Sequence, residues 1–178
     1  MYRSATYSSP VGEITLCSDG DALRGLWIEG QKYFAGKVAG NLERQDDLPV
    51  FAQAHAWLDR YFAGDPLPVA TLPLKPEGTP FQQRVWKLLA SIPYGELRTY
   101  ADLAAQITRE DGGKTSARAV GTANGRNPIS IILPCHRVVG SDGSLTGYAG
   151  GIDKKIWLLE HEGMDMTKVY RPKKGTAL

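Results

Sequence analysis

The sequence predicts an α+β fold in two parts, and three features carry that prediction. Apolar runs joined by an Asp-Gly turn mark β-structure near the start, five prolines interrupt the chain between Gly64 and Pro80, and helix-starting patterns recur from Thr79 onward. With 178 residues and 42% hydrophobic content, the chain can bury one or two real cores and has little room for long disorder. The proline-rich stretch is the natural boundary. It divides the chain into an N-terminal α+β domain at 1–77, a C-terminal domain at 78–165 and a basic tail at 166–178.

In the first part, Glu13 to Ser18 and Ala22 to Ile28 read as β-strands joined at Asp19-Gly20, and Val50 to Phe62 reads as an amphipathic helix ending before Gly64. Cys17 falls mid-strand and His55 on the helix, and both read as packing or surface residues. No catalytic constellation stands out in this half.

The second part opens on Thr79-Pro80-Phe81-Gln82, where Thr79 caps, Pro80 takes the first helical position and Gln82 closes a capping box. This helix is expected to reach about Ser91, with Val85, Trp86, Leu88 and Leu89 on its core face. Thr99-Tyr100-Ala101-Asp102 repeats the capping pattern and starts a short helix through about Gln106, with Gly112-Gly113 as the break. Ser116 to Gly125 forms the next helix, which makes the pair a candidate helix-turn-helix. Ala117, Ala119, Gly121 and Ala123 keep that second helix thin and leave Arg118 as its one long side chain. A thin helix fits either against another helix or into a minor groove about 6 Å wide, where a lone arginine could enter a base stack.

The chemistry centres on Pro134-Cys135-His136-Arg137-Val138, delivered from the interior by the β-branched run Asn127 to Leu133. A thiol becomes a strong nucleophile when cationic or hydrogen-bonding neighbours stabilise its thiolate. Taken alone, the dipeptide reads first as a buried structural cysteine beside a solvated charge pair, ahead of an activated thiolate. Adjacent side chains diverge, so His136 needs a bridging water to reach the Cys135 proton. A carboxylate on the last helix, Asp153 to Glu162 with Asp153 as cap and Gly163 as terminator, is the candidate to orient the imidazole.

Composition bounds the partners. Two cysteines far apart in sequence and no secretory pattern point to a reducing cytoplasmic setting, and no apolar stretch approaches the roughly 20 residues that span a bilayer. Two cysteines and three histidines without paired spacing predict no metal. Residues 1–78 carry a net charge of −3 and residues 79–178 a net charge of +5, so a polyanion-binding second half is expected. Part of that excess is the tail Lys168, Arg171, Lys173 and Lys174, for which a frayed, solvated end is the plain alternative.

Taken together, Asn127-Pro128-Ile129, Pro134-Cys135-His136-Arg137-Val138, Gly147-Tyr148-Ala149-Gly150-Gly151 and Trp157-Leu158-Leu159 followed by His161-Glu162-Gly163 carry a family pattern. Over about residues 78–163 the chain resembles the O(6)-alkylguanine-DNA alkyltransferases, also called methylated-DNA-protein-cysteine methyltransferases. The resemblance implies a ribonuclease-H-like N-terminal domain and a winged-helix-like C-terminal domain bearing the cysteine. It implies a cofactor-free, monomeric suicide repair protein. Such a protein flips an alkylated guanine out of duplex DNA and transfers the 6-O alkyl group to Cys135, with the 4-O position of thymine as a second lesion.

Carried over by resemblance, Cys135 is the nucleophile, His136 its water-mediated base, Glu162 the carboxylate behind it and Asn127 the hinge around the cysteine. Tyr100 donates toward the flipped guanine, and Arg118 fills the gap in the stack. The DNA-facing set is then Ala117, Arg118, Ala119, Thr99, Tyr100 and Asn124. Carbonyls of Cys135 and Val138 would accept from the guanine amine, and Tyr148 with the Ala149 amide would line the pocket. Some members carry serine where this chain has Ala149, which leaves the breadth of alkyl acceptance open, and zinc-binding residues of some relatives are absent. A noncatalytic reader of alkylated bases would lack the cysteine, and a cysteine hydrolase would need oxyanion donors that no motif supplies.

Overall fold

Strand β1 (Tyr2–Ser9) doubles back into β2 (Gly12–Ser18), which turns at Asp19-Gly20 into β3 (Leu23–Ile28). In the computed structural model, which describes residues 1–173, these three pair antiparallel. A short β4 (Leu42–Arg44) joins β1 in parallel, giving the order β3-β2-β1-β4. Asp19 shapes the second turn, accepting from the amides of Asp21 and Ala22 through Oδ1 and from Arg24 through Oδ2. Helix α1 (Pro49–Phe62) lays Val50, Phe51, Ala54, Trp57, Leu58 and Tyr61 against the sheet residues Ile14, Leu16 and Leu26. Each large apolar side chain buried this way stabilises the fold by about 1.5–3 kcal/mol.

The strand patterns around Asp19-Gly20 and the α1 pattern match the expected elements to within one residue, whereas β1 and β4 were not expected. In β1 only Ala5 is buried, so there is no row of large apolar side chains to reveal its period. β4 spans three residues, none of them buried.

Helices α2 (Pro80–Leu89) and α3 (Tyr100–Asp111) both start on complete capping boxes, Thr79 with Gln82 and Thr99 with Asp102. α3 runs past Gln106 because Ile107 extends its buried face of Leu103 and Ala104, and it stops at Gly112, whose φ of 78° suits a glycine. α4 (Ala117–Gly125) is capped by Ser116 and packs against α2, where the Trp86 indole donates to Ala123 O at 2.9 Å. Trp86 is therefore a core residue, as its helical spacing predicts. A two-residue parallel pair, β5 (Arg98–Thr99) with β6 (Val138–Val139), ties the start of α3 to the residues just after the cysteine.

The last helix, α5 (Ile152–His161), corrects one expectation. Its N-cap is Gly151, with no side-chain cap, and Asp153 lies inside the first turn. There it favours the helix dipole and pairs with Arg171. Within the described part of the tail Tyr170 is held in place: Leu145 N donates to Tyr170 O, Tyr170 N to Gly143 O and the Tyr170 hydroxyl to Asp142. Lys174 lies outside the described residues. No helix is long and apolar enough to cross a membrane among the described residues.

The edge of the first sheet positions the site. Leu23 in β3 exchanges backbone hydrogen bonds with Pro73 and Lys75, and Leu26 with Pro128 and Ser130, so both the proline-rich connection and the segment leading to Cys135 dock on β3. An edge strand that would otherwise expose unpaired amides is covered.

Candidate active site

Asn127 ties the turn that carries the cysteine. Its Oδ1 accepts from Ile129 N at 3.0 Å and its Nδ2 donates to Leu133 O at 2.8 Å, closing a buried loop that ends at Pro134. Inside that loop Ile131 is held at φ 70°, a left-handed conformation that costs a β-branched residue about 1–3 kcal/mol. Asn127 and the fully buried Ile129, Ile131 and Ile132 over-determine the turn. The β-branched run is thus a buried turn docked on β3, with no strand of its own beyond the Leu26–Ile129 bridge.

Cys135 begins a single 3-10 turn, Cys135–Arg137, and is only 3% exposed. The turn sends the next two side chains to one carboxylate. His136 Nε2 lies 2.5 Å from Glu162 Oε2, and Arg137 donates through Nε to Oε1 at 2.7 Å and through Nη2 to Oε2 at 3.2 Å. Gly95 N donates to Oε1 at 3.1 Å and the Tyr61 hydroxyl to Oε2 at 2.7 Å. Burial by itself would raise the Glu162 carboxyl, but His136 and Arg137 hold it well below the ordinary carboxylate range. An ionised Glu162 fixes the Nε2–H tautomer of His136, which leaves Nδ1 as a lone-pair acceptor with no hydrogen bond to the protein among the described residues. Burial lowers the His136 pKa despite Glu162, and burial raises the Cys135 thiol despite Asn127 and Lys155. At rest the pair is a neutral thiol and a neutral imidazole.

Lys155, on α5, is fully buried and donates to Val138 O at 2.6 Å and Thr146 O at 2.9 Å. Burial pushes its pKa down to about 7, opposed by electrostatic coupling to Cys135 in its thiolate form. The Tyr100 hydroxyl donates to the same Thr146 carbonyl at 2.8 Å. Asn124 Nδ2 donates to Cys135 O at 3.3 Å. Tyr148 is buried edge-on to His136, and its hydroxyl makes no hydrogen bond to the protein among the described residues. No group of three or more His, Cys, Asp or Glu side chains could hold a metal ion among the described residues.

The chain matches the family model for the 6-O-methylguanine DNA methyltransferase ribonuclease-like domain over residues 2–76 and the model for its DNA-binding domain over residues 80–164. It belongs to the 6-O-methylguanine DNA methyltransferase family. Among its relatives, the methylated-DNA--protein-cysteine methyltransferase of Haemophilus influenzae is 44% identical over 156 residues, 88% of this chain and 83% of the relative. That of Mycobacterium tuberculosis is 46% identical over 162 residues, 91% and 93% of the two chains. A crystal structure of Mycobacterium tuberculosis OGT in complex with DNA superposes with a TM-score of 0.76 at 44% identity, covering 94% of each chain. The O6-methylguanine-DNA methyltransferase of Pyrococcus kodakaraensis does so with a TM-score of 0.65 at 26% identity, covering 92% of this chain and 99% of that one. The α+β architecture with a ribonuclease-like first part and a DNA-binding second part is that of the methyltransferase family.

Most of the residues singled out in the methyltransferase pattern converge within this one region, with two corrections. Cys135, His136, Glu162, Asn127, Val138 and Tyr148 are buried together, Tyr100 reaches them from the start of α3, and Ala149 lies half-buried beside Tyr148. Ala117, Arg118 and Ala119 lie exposed on the first turn of α4, and Thr99 is half-buried at the cap of α3. Asn124 does not join that surface. It is 1% exposed, because the face of α4 that holds Val120 and Ala123 also holds position 124, and it belongs to the cysteine side. Arg137 was read as a cation beside the thiol, yet its guanidinium points to Glu162 and Ile92 O.

Sequence reasoning missed Lys155, Tyr61 and Gly95. Lys155 had a signal: it stands three, four and seven positions before Leu158, Leu159 and Glu162, which places it on the buried face of α5. Tyr61 shares the apolar face of α1, but nothing local announces a partner 101 residues away.

Proposed function

We propose that this protein repairs DNA by direct reversal, transferring the alkyl group from the 6-O position of guanine, and from the 4-O position of thymine, irreversibly to Cys135. The observation that carries this reading is the buried chain Cys135, His136, Glu162, in which Glu162 fixes the imidazole and leaves Nδ1 available to the thiol. The DNA-binding family domain and a relative crystallised with DNA support DNA as the partner.

Each step has a residue. Arg118, exposed on a helix of small residues, enters the base stack as the lesion flips out. Ala117, Ala119 and Thr99 face the backbone. The flipped base enters beside Tyr148 and Ala149, and the carbonyls of Cys135 and Val138 accept from the guanine amine, Cys135 O by exchanging the Asn124 amide it holds beside Val138 N, and Val138 O beside Lys155 Nζ. His136 Nδ1 takes the thiol proton through a bridging water, Glu162 stabilises the imidazolium, and Lys155 stabilises the thiolate. Sulfur then attacks the alkyl carbon in line. The carbon–oxygen bond breaks, its electron pair goes to guanine, and Tyr100, exchanging its bond to Thr146, donates toward the departing base. A thioether has no hydrolytic exit, so each chain acts once. No cofactor is needed for this displacement.

The reading assigns 1–77 as the ribonuclease-like domain, 78–165 as the DNA-binding and alkyl-accepting domain and 166–178 as a basic tail, in a cytoplasmic monomer. The test is Cys135→Ser on duplex DNA carrying 6-O-methylguanine. Transfer is expected to vanish while salt-dependent duplex binding persists. Persistent transfer in that variant would overturn the assignment.

A further inference from the structure

A cavity of about 260 Å3 lies against the outer side of the Tyr148-Ala149 segment. Its far wall does not come from the DNA-binding half. It is built by Lys32 and Tyr33, in the loop that follows β3, while Gly125 at the end of α4 leaves the near side without a side chain. Tyr148, whose ring stands edge-on to His136 beside Cys135, thus also lines this cavity together with Ala149. An alkyl carbon attacked by sulfur is fixed in place. The remainder of any substituent longer than methyl must extend past it, and Ala149 brings only a methyl group to the cavity wall it shares with Tyr148.

Two contacts and one backbone constraint fix the Tyr33 loop at this cavity. Lys32 N donates to Ala149 O at 2.9 Å, so the loop is hydrogen-bonded to the pocket segment itself. The Arg126 guanidinium sits 3.8 Å over the centre of the Tyr33 ring. Tyr33 also adopts φ 58°, a left-handed conformation that a residue with a side chain enters only under constraint. Tyr33 is 46% exposed, so burial does not explain its placement; the cation over its ring does.

We propose that Tyr33 sets the upper size of the alkyl group this protein accepts, closing the outer end of the alkyl compartment, with Arg126 holding the ring in place. This rests on alkyl transfer to Cys135. The experiment measures single-turnover transfer from one duplex sequence carrying either 6-O-methylguanine or 6-O-benzylguanine, so that duplex affinity cancels in the ratio of rates. Tyr33→Gly removes the ring and relieves the left-handed backbone, which keeps the variant foldable. Its benzyl-to-methyl ratio is expected to rise about tenfold or more, the scale on which pockets discriminate small apolar groups. Arg126→Gln, which frees the ring without removing it, should raise the ratio by less, and Tyr33→Phe should leave it as in the wild type. An unchanged ratio in Tyr33→Gly, whether both rates hold or fall together, overturns the proposal. If the wild type moves neither group, the alkyl-transfer reading fails; if it moves methyl and the ratio stays fixed, only the role of Tyr33 fails.

Discussion

The Tyr61 hydroxyl donates to Glu162 Oε2 at 2.7 Å, joining helix α1 of the first half of the chain to the carboxylate behind His136. Tyr61 is 1% exposed and its carbonyl accepts from His161 Nε2 at 2.7 Å, so two successive residues at the end of α5 are gripped by one tyrosine. The ribonuclease-like part thereby reaches the reacting centre without contributing a reacting atom.

Removing only that hydroxyl, as Tyr61→Phe, takes one donor from a buried charged acceptor and keeps the ring packed. A hydrogen bond to a charged group is worth about 1.5–3 kcal/mol. Urea unfolding at pH 7 should register a loss of that size together with slower transfer. Unchanged stability would mean that Arg137 and Gly95 hold Glu162 unaided.

The acid side of the stability curve follows from the two coupled groups. His136 is lowered by burial, so the unfolded chain binds the extra proton first, and stability starts to fall as pH drops through about 6.5. Glu162 is lowered by His136 and Arg137 against its burial. Its contribution is complete above the unfolded carboxylate value of about 4.3 and is lost as pH falls below that toward its own lower titration. Glu162→Gln should cost about 3–5 kcal/mol at pH 7, because it leaves Arg137 buried without a counter-charge. It should also flatten the limb below about pH 4.3. Urea midpoints taken from pH 3 to pH 7 check both, and an equally steep acid limb in the variant would refute the assignment to Glu162.

Burial lowers the Lys155 pKa to about 7 while coupling to Cys135 raises it, so the ammonium and the thiolate stabilise each other when the proton leaves. In Lys155→Met the pH at which Cys135 becomes reactive should move upward. Iodoacetamide labelling, followed at the Cys135 peptide by mass spectrometry, reads that midpoint. A midpoint that stays put would restrict Lys155 to bracing Val138 and Thr146.

Arg118 is exposed at the start of α4, on the surface assigned to DNA. Arg118→Ala should slow transfer from duplex far more than transfer from free 6-O-benzylguanine, since only the duplex has a stack to fill. Equal losses on both substrates would argue against a role in base flipping.

What could be read in the sequence was whatever local chemistry repeats. Both threonine capping boxes, the core face of α2 and the carboxylate at the end of the last helix follow from residues within a turn or two of one another. The divergence of neighbouring side chains already separated His136 from the Cys135 sulfur, and no hydrogen bond joins His136 Nδ1 to it among the described residues. Contacts closed by tertiary packing were not legible. Tyr61 meets Glu162 across 101 residues, β1 hides its period behind one buried alanine, and the left-handed Ile131 runs against every local preference of an isoleucine. Asn124 was placed on the wrong face because a helix end so rich in small residues has too weak an apolar stripe to orient it.

The central claim is that Cys135 accepts the alkyl group and keeps it. Mixing the protein with duplex DNA containing 6-O-methylguanine and digesting it should add the mass of one methyl group to the peptide containing Cys135, once per chain, with the Cys17 peptide unchanged and the lesion gone. A Cys135 peptide of unaltered mass, with the lesion still in the duplex, would contradict the account.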